Sequence, residues 1–121
     1  MAATAQSRQE VLVVGPLEIL PDEHLARAGG RALMLSIREF RLLTELARRF
    51  DRIMSRDELF SLVWGREMRP GDRSVDVYVS KVRSKLEAAL PDRQFIHTHP
   101  GFGYRFQPQL SRNVYTEAAG A

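Results

Sequence analysis

Arg73, Lys81, Arg83 and Lys85 crowd into residues 73–86, where Asp76 is the only acid. Hydroxyls and valines fill the gaps between them. Lys and Arg side chains pair with phosphate oxygens, Lys and Ser reach the edges of bases, and a valine methyl can touch the thymine methyl. At helical spacing, residues 72–86 divide into two faces. Val75, Val79, Val82 and Leu86 form an apolar stripe. Ser74, Val77, Tyr78, Lys81 and Lys85 fall on another, polar and basic face. An exposed helix of this composition fits a DNA major groove, and it also fits an ordinary solvated surface helix.

Other chemistry finds less support. His97 and His99 share a strand face, but no third ligand stands near them in sequence, so no metal site is expected. No serine, histidine and carboxylate set points to catalysis. Asp57 and Glu58 are adjacent on a helix and diverge, as partners of its N-terminal dipole would. The Gly101-Phe102-Gly103 spacing is a weak phosphate-loop signal, because neither a helix nor a Lys-Ser/Thr pair follows it. The reading is therefore of a non-enzyme without cofactors.

The 121 residues suffice for one domain with one core. There is no cysteine, hence no disulfide framework or thiolate metal site. No apolar run approaches the roughly 20 residues of a membrane span, and residues 1–10 lack a signal-peptide core. A soluble, cytoplasmic protein with no membrane partner is expected. The net charge of +3, from 18 basic and 15 acidic residues, does not by itself indicate nucleic acid. Its distribution is more telling, since the acids gather in 18–23 and 51–58, away from the basic helix.

The elements that position this helix follow from local signals. Residues 1–10 read as a disordered arm or linker remnant. Val11 to Val14 and Leu17 to Leu20 predict strands broken by Gly15-Pro16. His24 to Ala28 and Arg31 to Leu35 flank Gly29-Gly30, a hairpin signal because both turn residues can take positive φ. Ser36 with Glu39, and Ser55 with Glu58, are capping boxes opening two helices. The first buries Phe40, Leu43, Leu46 and Ala47 with Leu42 at its edge, and ends near Arg49-Phe50. The second carries Leu59, Leu62, Val63 and Trp64 and stops at Gly65. Asp72 is expected to cap the third helix, which runs to about Leu90. Gln94 to Thr98 and Gly103 to Phe106 predict a hairpin, with Ile96, Thr98, Tyr104 and Phe106 on one face and His97, His99 and Arg105 on the other. The fold class is α+β: a winged helix-turn-helix with an N-terminal four-stranded antiparallel sheet, three helices and a C-terminal β-hairpin wing. The domain spans 11–108, and 109–121 reads as a flexible tail.

The chain resembles the winged-helix effector domains of bacterial two-component response regulators of the OmpR/PhoB type. Five segments carry the resemblance, in order: Leu35 to Leu43, Ser55 to Leu59, Val63-Trp64-Gly65, Arg73 to Glu87, and Gly101-Phe102-Gly103-Tyr104-Arg105-Phe106. It implies sequence-specific binding of double-stranded DNA for transcription regulation, at direct repeats, by a second copy head-to-tail with the first. It also implies a phosphorelay receiver domain upstream, which residues 1–10 cannot hold. The chain is read as an excised effector domain or as a stand-alone regulator. The loop 65–71 corresponds to one that contacts RNA polymerase in some members.

By resemblance, Ser74 and Lys81 are the base readers and Val77 offers a methyl. Lys81 departs from the Arg of many members and lacks its rigid fork. Arg73, Tyr78, Arg83 and Lys85 are phosphate-contact candidates, with Arg73 at a helix N-terminus that also favours phosphate. Arg83 has an alternative partner in Glu87 at i, i+4. Asp76 is read as a structural partner for basic neighbours. Trp64 is either a phosphate contact through its indole N–H or an ordinary core residue. Thr98 and Tyr104 carry hydroxyls on the wing face toward phosphate. In the wing, His99, Pro100, Gly101 and Arg105 are the candidates. Pro100 replaces the arginine that many members send into the minor groove, leaving His99 or Arg105 as substitutes. The competing function is a protein-interaction module, with the third helix packed on a partner.

Overall fold

The structure, a computed structural model, describes residues 9–110. Strands β1 (Leu12–Val14), β2 (Leu17–Leu20), β3 (Leu25–Ala28) and β4 (Arg31–Ala32) form an antiparallel meander in sequence order. Leu17 faces Ala28 and Ile19 faces Ala26, so large side chains on one strand meet small ones on the next. All four are buried. Gly29 and Gly30 both take positive φ, 60° and 81°, as the β3–β4 turn requires. β4 is shorter than predicted, and Leu33 prolongs it by one N–H bond to the Ala26 carbonyl (2.8 Å). His24 belongs to a left-handed turn after a 3₁₀ segment, Pro21–Glu23, and not to the strand.

Helices α1 (Ile37–Arg48) and α2 (Arg56–Trp64) begin at the two predicted capping boxes. In the first, the Ser36 hydroxyl accepts the Glu39 N–H (3.1 Å) while the Glu39 carboxylate accepts the Ser36 N–H (2.8 Å). Leu42 is fully buried and not at an edge, and Thr44 is buried with its hydroxyl donating to the Phe40 carbonyl (2.8 Å). α1 packs on α2 and on the helix Ser74–Ala89, and also touches β1 and the strand Gly103–Leu110, so its buried arc is wider than one apolar stripe. Leu62 is exposed on α2. Gly65 ends α2 in the left-handed conformation, φ 75°.

α3 (Ser74–Ala89) is the longest helix and buries the predicted Val75, Val79, Val82 and Leu86. Its start corrects the expectation for Asp72. The N-cap position is Arg73, and the Asp72 carboxylate instead accepts the N–H of Ser74 (2.8 Å) from one residue further out. Strands β6 (Arg93–His99) and β7 (Gly103–Leu110) form the wing hairpin, pairing Ile96 with Phe106 and Thr98 with Tyr104. A strand that sequence patterning missed, β5 (Ile53–Met54), adds to the outer edge of β7 and makes the wing sheet three-stranded. At two residues it is too short to show alternation. β7 continues to Leu110, and the Glu10 carboxylate is tied to Arg48 (2.7 Å). The remainder of the predicted arm and tail lies outside the described residues.

Candidate nucleic-acid interface

The buried stripe of α3 fixes which side chains point away from the core. Arg73, Val77, Ser80, Lys81 and Ser84 are exposed along one line, and Ser74 is half-buried at its start. Ser80 and Ser84 were missed by sequence reading, which grouped residues by charge. Counting three and four positions from Val77 and Lys81 finds them. Tyr78 and Lys85 lie on one flank, toward α1 and α2. Asp76 and Arg83 lie on the other, toward the wing.

On the helical flank, Trp64 stacks on Phe60 with centroids 4.8 Å apart and meets Tyr78 edge-on at 5.5 Å. Its indole is thus half-buried, packed on Phe60 and Tyr78. The Arg38 guanidinium lies over the Trp64 ring at 4.9 Å, and the Lys81 ammonium over Tyr78 at 4.7 Å. Exposed cation–π contacts of this kind are worth about 0.5–1 kcal/mol, so a phosphate or base edge can draw either cation away. Arg38 is a third residue the sequence reading missed. It sits within a capping box, a pattern that conceals any other role.

Lys85 is engaged within the domain. Its ammonium is 2.6 Å from the carboxylate of Glu39, whose side chain is 6 % exposed. Burial would raise the Glu39 carboxyl, but the hydrogen bonds from Lys85 and Ser36 outweigh it and hold the group below the ordinary carboxylate range. Freeing Lys85 for a phosphate would strand that buried charge. Lys85 therefore joins α3 to α1 through this ion pair.

On the wing flank, Asp76 gathers three partners. Arg56 of α2 donates to it at 2.7 Å, Arg73 lies at 3.3 Å, and the Tyr104 hydroxyl of β7 donates to the same carboxylate. Burial opposes ionisation of Asp76, yet the bonds from Tyr104 and Arg56 hold its carboxyl below the ordinary value. Burial, and then Asp76, raise the Tyr104 phenol. The Tyr104 hydroxyl is thus bonded to Asp76 inside the domain, tying β7 to α3. Arg83 does not pair with Glu87. It donates to the Ile96 carbonyl (3.0 Å) and the Thr98 hydroxyl (2.9 Å), pinning α3 to β6. Thr98 accepts from Arg83, so its own O–H remains free to donate outward.

In the wing, Arg105 donates to Asp51 (2.9 Å), Gln107 (2.8 Å) and the His99 ring (3.2 Å), so both wing candidates are engaged with neighbours of the hairpin. His97 bonds to the Gln107 carbonyl (2.7 Å). No group of three or more potential metal-ligating side chains occurs among the described residues. No described helix is long and apolar enough to cross a membrane.

The structure thus brings together an outward polar and cationic helix face, an aromatic flank bearing Arg38, and a wing bonded directly to that helix. Residues 30–106 match the family described as transcriptional regulatory protein, C terminal. The chain belongs to that family. It is 39 % identical over 107 residues to the transcriptional regulatory protein PrrA of Mycobacterium leprae, covering 88 % of this chain and 46 % of the relative. It is 36 % identical over 102 residues to the phosphate regulon regulator PhoB of Shigella flexneri, covering 84 % of this chain and 44 % of that protein. The chain therefore spans about half the length of these relatives. Among solved structures, the Klebsiella pneumoniae RstA DNA-binding domain in complex with the RstA box superposes with a TM-score of 0.73 at 35 % identity, covering 81 % of this chain and 97 % of that one. The DNA-binding domain of CpxR from E. coli gives a TM-score of 0.74 at 31 % identity, covering 81 % and 96 %. The family and the winged-helix fold both agree with the sequence resemblance.

Proposed function

We propose that this chain binds double-stranded DNA sequence-specifically through α3 and the wing, as the output domain of a two-component response regulator controlling transcription. The observation that carries this reading is the electrostatics of α3. Its one acid in the groove-reading half, Asp76, is turned aside and paired with Arg56, Arg73 and Tyr104. That leaves Arg73, Ser80, Lys81 and Ser84 outward, with no carboxylate among them to repel a phosphate.

In this reading Ser74, Val77 and Lys81, joined by Ser80 and Ser84, meet base edges in the major groove. Arg38, Arg73, the Trp64 N–H, the Thr98 hydroxyl and the outward edges of Arg56, Arg83 and Tyr78 meet the backbone. Two copies sit head-to-tail on direct repeats about one helical turn apart. The loop 65–71, with Arg66, Glu67 and Arg69 exposed, faces RNA polymerase. The protein works in the bacterial cytoplasm, on the nucleoid when bound.

Phosphate contact by Arg38, Arg56, Arg73 and Arg83 implies a log–log salt slope of about −4 per domain. Titrating the full chain onto a fluorescent duplex from about 50 to 200 mM salt measures it. An affinity that does not change with salt would favour the protein-interaction module and remove this reading.

A further inference from the structure

The wing tip is the uncharged part of the proposed interface. Pro100, Gly101 and Phe102 form the turn between β6 and β7, and the Phe102 side chain is 73 % exposed. No other phenylalanine among the described residues is as exposed; Phe50 follows at 47 %. The turn holds its ring on a firm base. The Phe102 N–H donates to the His99 carbonyl (2.9 Å), and Gly101 takes φ 82°. Gly103, at φ 138°, lies so close to β5 that an added Cβ would strike the Met54 carbonyl. The neighbouring cations are engaged elsewhere, Arg105 with Asp51 and Arg83 with Ile96 and Thr98.

We infer that Phe102, flanked by Pro100, is an apolar minor-groove contact that seats the wing on the duplex by packing and not by charge. The inference rests on the DNA-binding reading above and names how the wing takes part in it. The occupant follows from continuity. β6 bears Thr98, bonded to Arg83 of α3, and β7 bears Tyr104, bonded to Asp76 of α3, so the turn joining them projects from the interface that α3 forms. The walls of the minor groove are deoxyribose C–H groups, and proteins that enter it use Phe and Pro as wedges against easily unstacked steps. Such a contact is insensitive to salt and favours flexible pyrimidine–purine steps over stiff A-tracts in the flank.

The test compares the full chain with its Phe102→Ala and Phe102→Arg variants on a duplex recovered by selection from a random pool. Equal thermal unfolding of the three proteins checks that the exposed position leaves the fold alone. Phe102→Ala is expected to weaken binding roughly tenfold with an unchanged salt slope, most strongly where the flank carries a TA or CA step. Phe102→Arg is expected to recover affinity at low salt with a slope steeper by about 1. Parent and Phe102→Ala binding equally tightly would overturn the inference while leaving DNA binding intact. A loss accompanied by a shallower slope would also overturn it, since the ring would then act by ordering a cation. A parent chain that binds no duplex at any salt would overturn this and the underlying reading together.

Discussion

In the proposed reading, Lys81 is the residue on which specificity turns. Its ammonium rests over Tyr78 and is free to swing outward, because no carboxylate among the described residues holds it. Lys81→Ala should cost about 1–3 kcal/mol of specific binding and leave thermal unfolding unchanged. Competition between operator and random duplex measures this, and undiminished discrimination would remove Lys81 from the base readers. Asp76 does the opposite kind of work, holding α2, α3 and β7 together. Its carboxyl and that of Glu39 lie below their ordinary range in the folded chain. Their contribution is therefore complete above the unfolded value of about 4, and is lost as pH falls through the lower folded values. Asp76→Asn should lower stability by about 1–3 kcal/mol at neutral pH and flatten the acid limb of a stability–pH curve. An acid limb identical to the parent's would show that Asp76 titrates freely. Charge pattern alone marked Asp76 as structural in the sequence. It did not separate Lys81 from Lys85, which have the same chemistry, because the difference lies in Glu39, distant in sequence and buried beneath Lys85.

At the scale of elements, signals contained in a few adjacent residues were legible. Capping boxes at Ser36 and Ser55, the Gly29-Gly30 turn and the four-residue stripe of α3 all depend on local backbone chemistry, and the structure has each one. What was not legible depends on partners far along the chain. β5 exists because β7 pairs with it, Leu42 is buried because α1 is covered on several sides, and Tyr104 points inward because Asp76 is there. Gly103 shows how tightly the wing is held. It combines positive φ with a backbone approach that leaves no room for a methyl against Met54 and Ser55. Gly103→Ala should destabilise the chain by about 3 kcal/mol, seen as a lower urea midpoint. A loss below about 0.5 kcal/mol would mean that β5 can move aside. Gly101, with open space around its Cα, carries the conformational demand alone and should tolerate Asn better.

For the whole molecule, the helix-turn-helix, the wing and the N-terminal sheet form one frame in which α3 is fixed from both sides. Glu39 and Lys85 bind it to α1, while Asp76 with Tyr104, and Arg83 with Thr98, bind it to the wing. A reading helix anchored at both flanks presents its outward line with little freedom, which is what discrimination between bases requires. The account's central claim is that this line recognises a particular duplex sequence. The most direct test is selection of bound duplexes from a random pool by the full chain. The expected result is one enriched half-site, recurring as a direct repeat about 10 to 11 base pairs apart, that Lys81→Ala no longer enriches at one position. Recovered duplexes no different from the starting pool would contradict the claim.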